Sequence, residues 1–330
     1  MRAVWYDRQG PAREVLRLGE LPDPVPRPGE ALVRLMASGV NPADCRTRQG
    51  ARGAMEYPRI IPNSDGAGIV EALGPGVAAH WLGKRVWLYN GQRNGRAFGT
   101  AAELIALDVD LLSELPAPIS FAEGATLGIP AMTAHCCLFV AGALHGRTVL
   151  VTGGAGAVGH YAVQLAKRAG ASVIATVSSA EKAARARAGG ADHVIDYRRE
   201  DVAREVARLT GGAGVDHVVE VDFGGNLAAT LASVRRNGSI AVYATRGAAA
   251  PQVPVGEIMQ RNVTIRGFYL PGAPHEARRR AQADITAWIA AGGCTLSVAG
   301  RYPLAETAAA HEAVEAGGKV GTVVVEPAQA

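Results

Sequence analysis

The sequence predicts an α/β protein built as a doubly wound parallel sheet joined to a separate β-rich lobe. Three observations carry this. Apolar strands alternate with helical segments from Thr148 to Ala244, the pattern of a parallel sheet covered on both faces. A glycine-rich turn, VTGGAGAVGH over residues 151–160, joins the first of those strands to a helix. Before residue 120 the text is strand-like and broken by Pro- and Gly-rich turns, as in a β-rich lobe.

Composition sets bounds on both lobes. A chain of 330 residues, 48% of them hydrophobic, can bury two ordinary cores. The 34 basic and 30 acidic residues are scattered singly, for a net charge of +4, so no nucleic-acid partner is expected. Cys45, Cys136, Cys137 and Cys294 form no C-x-x-C pair, and adjacent cysteines bridge each other only under strain. A reduced, intracellular chain follows. The opening MRAVWYDRQG lacks a basic-then-apolar leader, and no run of ~18 apolar residues occurs. The expectation is a cytoplasmic protein without a membrane partner.

The elements follow in order. ALVRLMASGV, GAGIVEALG and KRVWLYN read as strands of the first lobe, and LPDPVPRPGE (21–30) as an extended connection between two strands. SFAEGATLGIPAMTAHCCLFVAG, with a Ser cap and a Glu three residues on, reads as one largely buried helix through Val140. The alternating part comprises TVLVT, a helix after Gly159, ASVIATV, a helix through Ala188, HVID, a helix near 200–209, VDHVVEV, a helix from about 226, and SIAVYA. A strand at VTIRGFY, helices near 276–291 and 305–316, a strand near 296–301 and a closing TVVVE end the chain. The tail is expected to rejoin the first lobe.

Gly154, Gly156 and Gly159 satisfy G-x-G-x-x-G between an apolar strand and a helix, the context that makes this motif a dinucleotide fingerprint. Gly154 is assigned the tight turn, Gly156 the close approach of backbone to a pyrophosphate, and Gly159 the packing of helix on strand. The phosphates then face the helix N-terminus, where Ala157 and Val158 lie. The next strand ends in Ser178 and Ser179, with Lys182 one helical turn on and Tyr197 after the third strand. Hydroxyls and a cation suit a 2′-phosphate where a carboxylate would suit a free ribose, so NADPH is predicted over NADH. Lys182 also reads as a solvated residue of the helix surface.

With these features in place the chain resembles the medium-chain dehydrogenase/reductase superfamily, and within it the zinc-free quinone oxidoreductases, the family of zeta-crystallin. GVNPAD (39–44), IPNSDGAGIVEALG (61–74), GIPAMTA (128–134), VLVTGGAGAVG (149–159), GADHVIDYRRED (190–201) and YPLAETAAAHE (302–312) carry the resemblance along almost the whole chain. It implies a GroES-like, partly open β-barrel lobe over 1–123 and 267–330 and a Rossmann domain over 124–266. It also implies a homodimer, since members of the superfamily often join their sheets edge to edge through the strand that is VTIRGFY here. Where zinc-dependent members place their catalytic metal ligands, this chain has Asn41, Ser64 and Asp65, and Ile129. No metal is expected, because zinc needs several N or S donors set tetrahedrally.

Without a Lewis acid, electron-poor quinones or conjugated carbonyls are the acceptors that need least activation, and reduction by NADPH is the expected direction. Such a site positions the ring and hydrogen-bonds the oxygen that gains charge. By resemblance Asn41 makes that oxygen contact; by its place before Pro42 it also reads as a turn residue. Arg46 stands where quinone reductases of the family often carry a tyrosine, and reads either as a carboxylate contact or as a solvent-facing side chain. Thr133 resembles a family threonine beside the nicotinamide, or is a helix-interior threonine bonded to a carbonyl. Tyr243 and Phe268 close strands of the parallel sheet, lining the ligand or the core. Two alternatives stand beside quinone reduction: an enoyl or alkenal reductase on the same scaffold, and a non-catalytic NADPH-binding sensor or structural protein.

Overall fold

The computed structural model describes residues 1–93 and 95–327. The chain forms two compact units, Met1–Ile129 with Arg279–Ala330, and Pro130–Arg278.

The first unit begins with β1 (Arg2–Trp5), α1 (Ala12–Val15), β2 (Arg17–Glu20), β3 (Glu30–Val40), α2 (Pro42–Arg48), β4 (Asp65–Leu73), β5 (Arg85–Leu88), β6 (Leu104–Asp108), β7 (Leu112–Glu114) and α3 (Phe121–Gly124). The helix α4 (Gly128–Phe139) then carries the chain into the second unit. That unit holds β8 (Thr148–Val151), α5 (Ala157–Arg168), β9 (Ser172–Val177), α6 (Ala180–Ala188), β10 (His193–Asp196), α7 (Val202–Leu209), β11 (Val215–Glu220), α8 (Phe223–Ser233), β12 (Val234–Val242), α9 (Val255–Arg261) and β13 (Thr264–Gly267). The helix α10 (His275–Ala290) leads back to the first unit, which ends with β14 (Val298–Pro303), α11 (Thr307–Glu315) and β15 (Thr322–Glu326).

In the first unit a seven-stranded sheet runs β14-β15-β3-β4-β5-β7, with β6 also paired to β3. The tail does rejoin this lobe: β15 lies antiparallel to β3, Val324 opposite Gly39. Along β3, Ala31, Val33 and Leu35 are buried and pack with Val70, Val86, Leu88, Ile105 and Leu107, the alternation that puts every second side chain on the core face. A second cluster gathers Val40, Cys45, Ala310 and Val323, so α11 and β15 complete a core begun by the first hundred residues.

The second unit is a six-stranded parallel sheet ordered β10-β9-β8-β11-β12-β13. Its strands are apolar almost throughout because helices cover both faces; Leu150, Ile174, Val218 and Ile240 are buried in one cluster with Val206 and Leu231 of the helices. From β8 the chain builds outward to β10, then restarts at β11 on the other side of β8. Strand order therefore reverses between β8 and β11, where open α/β sheets bind ligands.

Two expectations need correction. The buried helix foreseen from Phe121 through Val140 is two helices, α3 and α4, with Ala125–Leu127 turning between them. Ser120 and Glu123 do make the reciprocal cap of α3, yet Ile129 then gives its N–H to the Asp65 side chain at 2.8 Å, which re-aims the chain. The division between lobes, expected at 123/124 and 266/267, falls at 129/130 and 278/279. The Asp65 bond to Ile129 and the close seat of Ala125 O on Gly39, where a Cβ would lie 2.2 Å away, hold residues 125–129 to the first unit. Phe268 N–H on Val242 O at 2.7 Å and Cys136 Sγ on Ala277 O at 3.9 Å hold 268–277 to the second.

All four cysteines are free thiols, three of them buried. Among the described residues no helix is long and apolar enough to cross a membrane.

Candidate functional site

The glycine loop at the end of β8 is shaped by contacts that exclude a side chain. The left-handed residue is Gly153, at φ 66°, so the tight turn assigned to Gly154 is made one residue earlier. Gly154 is required for a different reason: a Cβ there would lie 2.7 Å from Ala175 Cβ on β9. At Gly159 a Cβ would meet Gly153 O at 2.2 Å, so helix and loop close on each other. Gly156 caps α5 and is exposed; a Cβ there would meet nothing nearer than Gly153 O at 3.3 Å. Ala157, Val158 and Gly159 are the first three residues of α5, and their N–H groups have no intrahelical acceptor. With the positive end of the helix dipole they suit an anion where strand order reverses.

Glu220, at the end of β11, braces this corner and was not singled out from the sequence. It is fully buried, and it accepts from Thr152 Oγ1 at 3.0 Å, Asp222 N at 2.6 Å, Asn226 Nδ2 at 2.9 Å and Thr230 Oγ1 at 2.6 Å. The visible signal was an acidic residue closing the apolar strand VDHVVE.

Ser178, Ser179, Lys182 and Tyr197 come together at the ends of β9 and β10. Ser179 Oγ accepts the Lys182 N–H at 3.3 Å and so caps α6. Lys182 Nζ donates to Ser178 Oγ at 3.1 Å, and Tyr197 gives its N–H to Val177 O at 3.1 Å. Glu181 is exposed on α6. Arg185, one turn beyond Lys182, reaches back to Ala155 O at 3.2 Å, which places a second cation beside the glycine loop. On the other side of β8 lie Tyr243 and Phe268, both half-buried at the ends of β12 and β13. Burial holds the Tyr243 phenol well above its ordinary pKa. Thr133 is buried in α4.

The first unit carries a buried polar cluster around Asn41. This residue caps α2 in extended conformation: its N–H donates to Asp44 Oδ2 at 2.8 Å, and Asp44 returns its own N–H to Asn41 O. The side chain does something else, donating Nδ2 to Asp65 Oδ2 at 2.7 Å. Asn41 is thus both the turn residue before Pro42 and a fixed amide. Asp65 is fully buried; that burial, reinforced by the Asp44 charge, holds its carboxyl well above the usual pKa despite the Asn41 and Ile129 donors. Asp44 Oδ1 accepts from Ser64 Oγ at 2.9 Å and from Arg93 Nη2 at 2.7 Å, an ion pair with side chains 0% and 7% exposed. Arg46 is exposed and forms no ion pair among the described residues.

A chain of hydrogen bonds leads from α11 to the start of β4. Arg48, paired with Glu315, donates Nε to His311 Nδ1 at 3.4 Å. His311 Nε2 then meets Asn63 Oδ1 at 2.9 Å, Asn63 Nδ2 donates to Ser38 Oγ at 3.0 Å, Ser38 contacts Thr100 Oγ1 at 2.7 Å, and Thr100 donates to Asp65 O at 2.7 Å. With Arg48 at one end and a carbonyl at the other, every member donates in the same direction, which makes the bonds mutually reinforcing. Burial, aided by the Arg48 charge, pushes the His311 pKa down to about 3, so the ring is neutral as this chain requires.

Comparison with known proteins accounts for both units. The alcohol dehydrogenase GroES-like domain matches residues 27–117, and the zinc-binding dehydrogenase domain matches residues 157–286. The chain is 32% identical to the quinone oxidoreductase of Mus musculus over 98% of this chain and 97% of the relative. It is 31% identical to a 2-haloacrylate reductase of Burkholderia sp over 99% of each. The solved structure of Escherichia coli quinone oxidoreductase complexed with NADPH superposes with a TM-score of 0.86 at 28% identity, over 99% of this chain and 100% of the other.

The zinc named by one matching domain does not suit the residues present. Asp65 has both oxygens engaged by N–H donors, Ser64 is bonded to Asp44, and the ligand position at 129 is an isoleucine. Donor atoms of Cys45, His311 and Glu315 lie within 4.8 Å of one another, but the Arg48 cation sits against both His311 and Glu315, where a second cation would be repelled. Two domain matches in family order, full-length likeness and a shared architecture converge on one conclusion: the chain belongs to the quinone oxidoreductase family of the medium-chain dehydrogenases/reductases.

Proposed function

We propose that this NADPH-dependent oxidoreductase passes hydride to quinones or similar electron-poor carbonyl acceptors without the help of zinc. The observation that carries it is the full-length likeness to quinone oxidoreductases in a chain whose Asn41 amide stands, held by Asp65, at a position where zinc-dependent relatives need a metal ligand. NADPH supplies the hydride. The residues that fit it are the free N–H groups of Ala157, Val158 and Gly159 for the pyrophosphate and the Ser178, Ser179, Lys182 and Tyr197 group for the 2′-phosphate. Tyr243 and Phe268 flank the nicotinamide end. Asn41 hydrogen-bonds the acceptor oxygen as it gains charge. The free cysteines suit the cytoplasm.

Alkene reduction is a second reading, favoured by the likeness to 2-haloacrylate reductase. The experiment that separates the two is oxidation of NADPH and of NADH by metal-stripped protein with a panel of quinones and single-carbonyl enones. NADPH-selective turnover of quinones supports the proposal. Turnover of enones alone moves the function to alkene reduction, and binding of NADPH without turnover leaves a sensor or structural role.

A further inference from the structure

The loop that follows β5 is both polar and buried. Tyr89, Asn90, Gln92 and Arg93 are exposed by 1%, 1%, 9% and 8%, whereas connecting segments ordinarily run over the surface. Gln92 and Arg93 find their partners inside the protein: Gln92 Nε2 donates to Arg96 O, and Arg93 donates to Gln92 and to Asp44. Asn90 does not. Its Nδ2 and Oδ1 are buried, and neither has a hydrogen-bonding partner among the described residues. Leaving a buried amide unpaired costs about 1–3 kcal/mol per group, and Asn90 also takes a left-handed backbone at φ 57°, which a non-glycine residue adopts at a cost. Strained residues of this kind cluster at active sites and ligand clamps.

The position of Asn90 says which ligand. Strand β5 pairs antiparallel with β4, Leu88 opposite Gly66, and Gly91 donates its N–H to Ser64 O at 2.8 Å. Asn90 is thereby carried alongside Ser64 and Asp65, the residues whose side chains hold Asp44 and Asn41. Asn41 follows β3 and Asn90 follows β5, the two strands that flank β4, and of these two amides the one on Asn90 has no partner among the described residues.

We propose that Asn90 is a second acceptor-oxygen contact beside Asn41, and that the acceptor therefore has two conjugated carbonyl oxygens, as a quinone has and a simple enone has not. This rests on the quinone reading above. An amide serves both ends of the reaction. Its N–H donates to the carbonyl of the oxidised acceptor; once the quinone has taken up one hydride from NADPH and one proton from solvent, the resulting hydroquinone hydroxyl donates to the amide oxygen. An acceptor with one carbonyl fills one amide and leaves the other unpaired.

Asn90→Gly tests the proposal, since glycine keeps the left-handed backbone while removing the amide. Wild type and variant are compared for kcat/KM on 1,4-naphthoquinone and on 2-cyclohexenone, for NADPH affinity by fluorescence titration, and for melting temperature. The expected result is a loss of about tenfold on the quinone, the worth of one hydrogen bond, with the enone changed less than about twofold on that scale, NADPH affinity unchanged and the melting temperature not lowered. Unchanged kinetics with a lowered melting temperature, or equal losses on both acceptors, overturn it and return Asn90 to a structural role. Wild-type protein that reduces only the enone overturns the quinone reading and the inference together. Wild-type quinone activity that Asn90→Gly matches overturns the inference alone.

Discussion

On the proposed reading, coenzyme choice turns on Lys182. Its ammonium already meets Ser178 Oγ at the end of β9, so a 2′-phosphate there finds a charge-assisted partner held in place, worth about 1.5–3 kcal/mol. Lys182→Ala is expected to raise KM for NADPH by about ten- to a hundredfold while leaving KM for NADH nearly unchanged; equal effects in steady-state assays would return the lysine to the helix surface. His160, next to the glycine loop, carries a pH prediction. Burial, with the Arg185 charge adding to it, lowers its pKa from 6.5 to about 4, and neither ring nitrogen has a partner among the described residues. The unfolded chain then takes up the proton first as pH falls, so the stability present above about 6.5 is lost as pH drops toward 4. His160→Leu, which also removes two unsatisfied nitrogens, is expected to raise the melting temperature relative to wild type more at pH 5 than at pH 8; a gain independent of pH would show that His160 does not titrate in this range. The cap that Asn41 makes before Pro42 and the meeting of Ser178, Ser179 and Lys182 at the end of β9 were legible because each is local in the sequence. Arg93 on Asp44 and His311 on Asn63 were not, since those bonds join residues 49 and 248 positions apart, and no periodicity encodes such a pairing.

At the scale of elements, the glycine loop separates a packing role from a binding role. Gly159 is needed to pack, because its Cβ would sit 2.2 Å from Gly153 O; Gly156 is not, because its Cβ would meet only that same oxygen at 3.3 Å. Gly159→Ala is therefore expected to cost about 1–3 kcal/mol of stability through overpacking and to weaken NADPH binding with it. Gly156→Ala should melt within a few degrees of wild type yet bind NADPH several-fold more weakly, because the methyl would enter the space proposed for the pyrophosphate. Melting curves and fluorescence titration of the two variants check this, and wild-type affinity in Gly156→Ala would remove that glycine from the site. The alternation of strand and helix that predicted the parallel sheet was legible because period and punctuation are local. The break between α3 and α4 was not: ATLGIPAM reads as continuous apolar helix, and what interrupts it is a bond from Ile129 to Asp65, 64 residues away. The displaced tight turn has a similar origin. Two adjacent glycines are equivalent in the sequence, but in the fold Gly153 takes the left-handed turn while Ala175 leaves no room for a side chain at Gly154.

At the scale of the whole molecule, the parallel sheet ends on β13, which pairs with β12 on one side and with no strand among the described residues on the other. An open edge strand offers a row of unpaired N–H and C=O groups, which proteins cover, charge or pair. Here the surroundings are apolar: Val255 and Met259 on α9 are 59% and 70% exposed, and Tyr269, just past β13, is 53% exposed. A second copy meeting this edge about a two-fold axis would extend two six-stranded sheets into one of twelve, and the same patch on each protomer would cover the other's Met259 and Tyr269. The protein is therefore expected to be a homodimer. Sedimentation velocity across a micromolar concentration range is the check: wild type should run at twice the chain mass of 34.1 kDa, and Met259→Asp, which puts a charge into the apolar seam, should shift the population toward monomer. The phosphate contacts proposed at the ends of β8 and β9 lie across the sheet from β13, and only the proposed contact of Phe268 adjoins it, so the monomeric variant should keep most of its NADPH affinity while losing thermal stability. Wild type that runs as a monomer at every concentration would show that this edge is protected by its own short length of four residues.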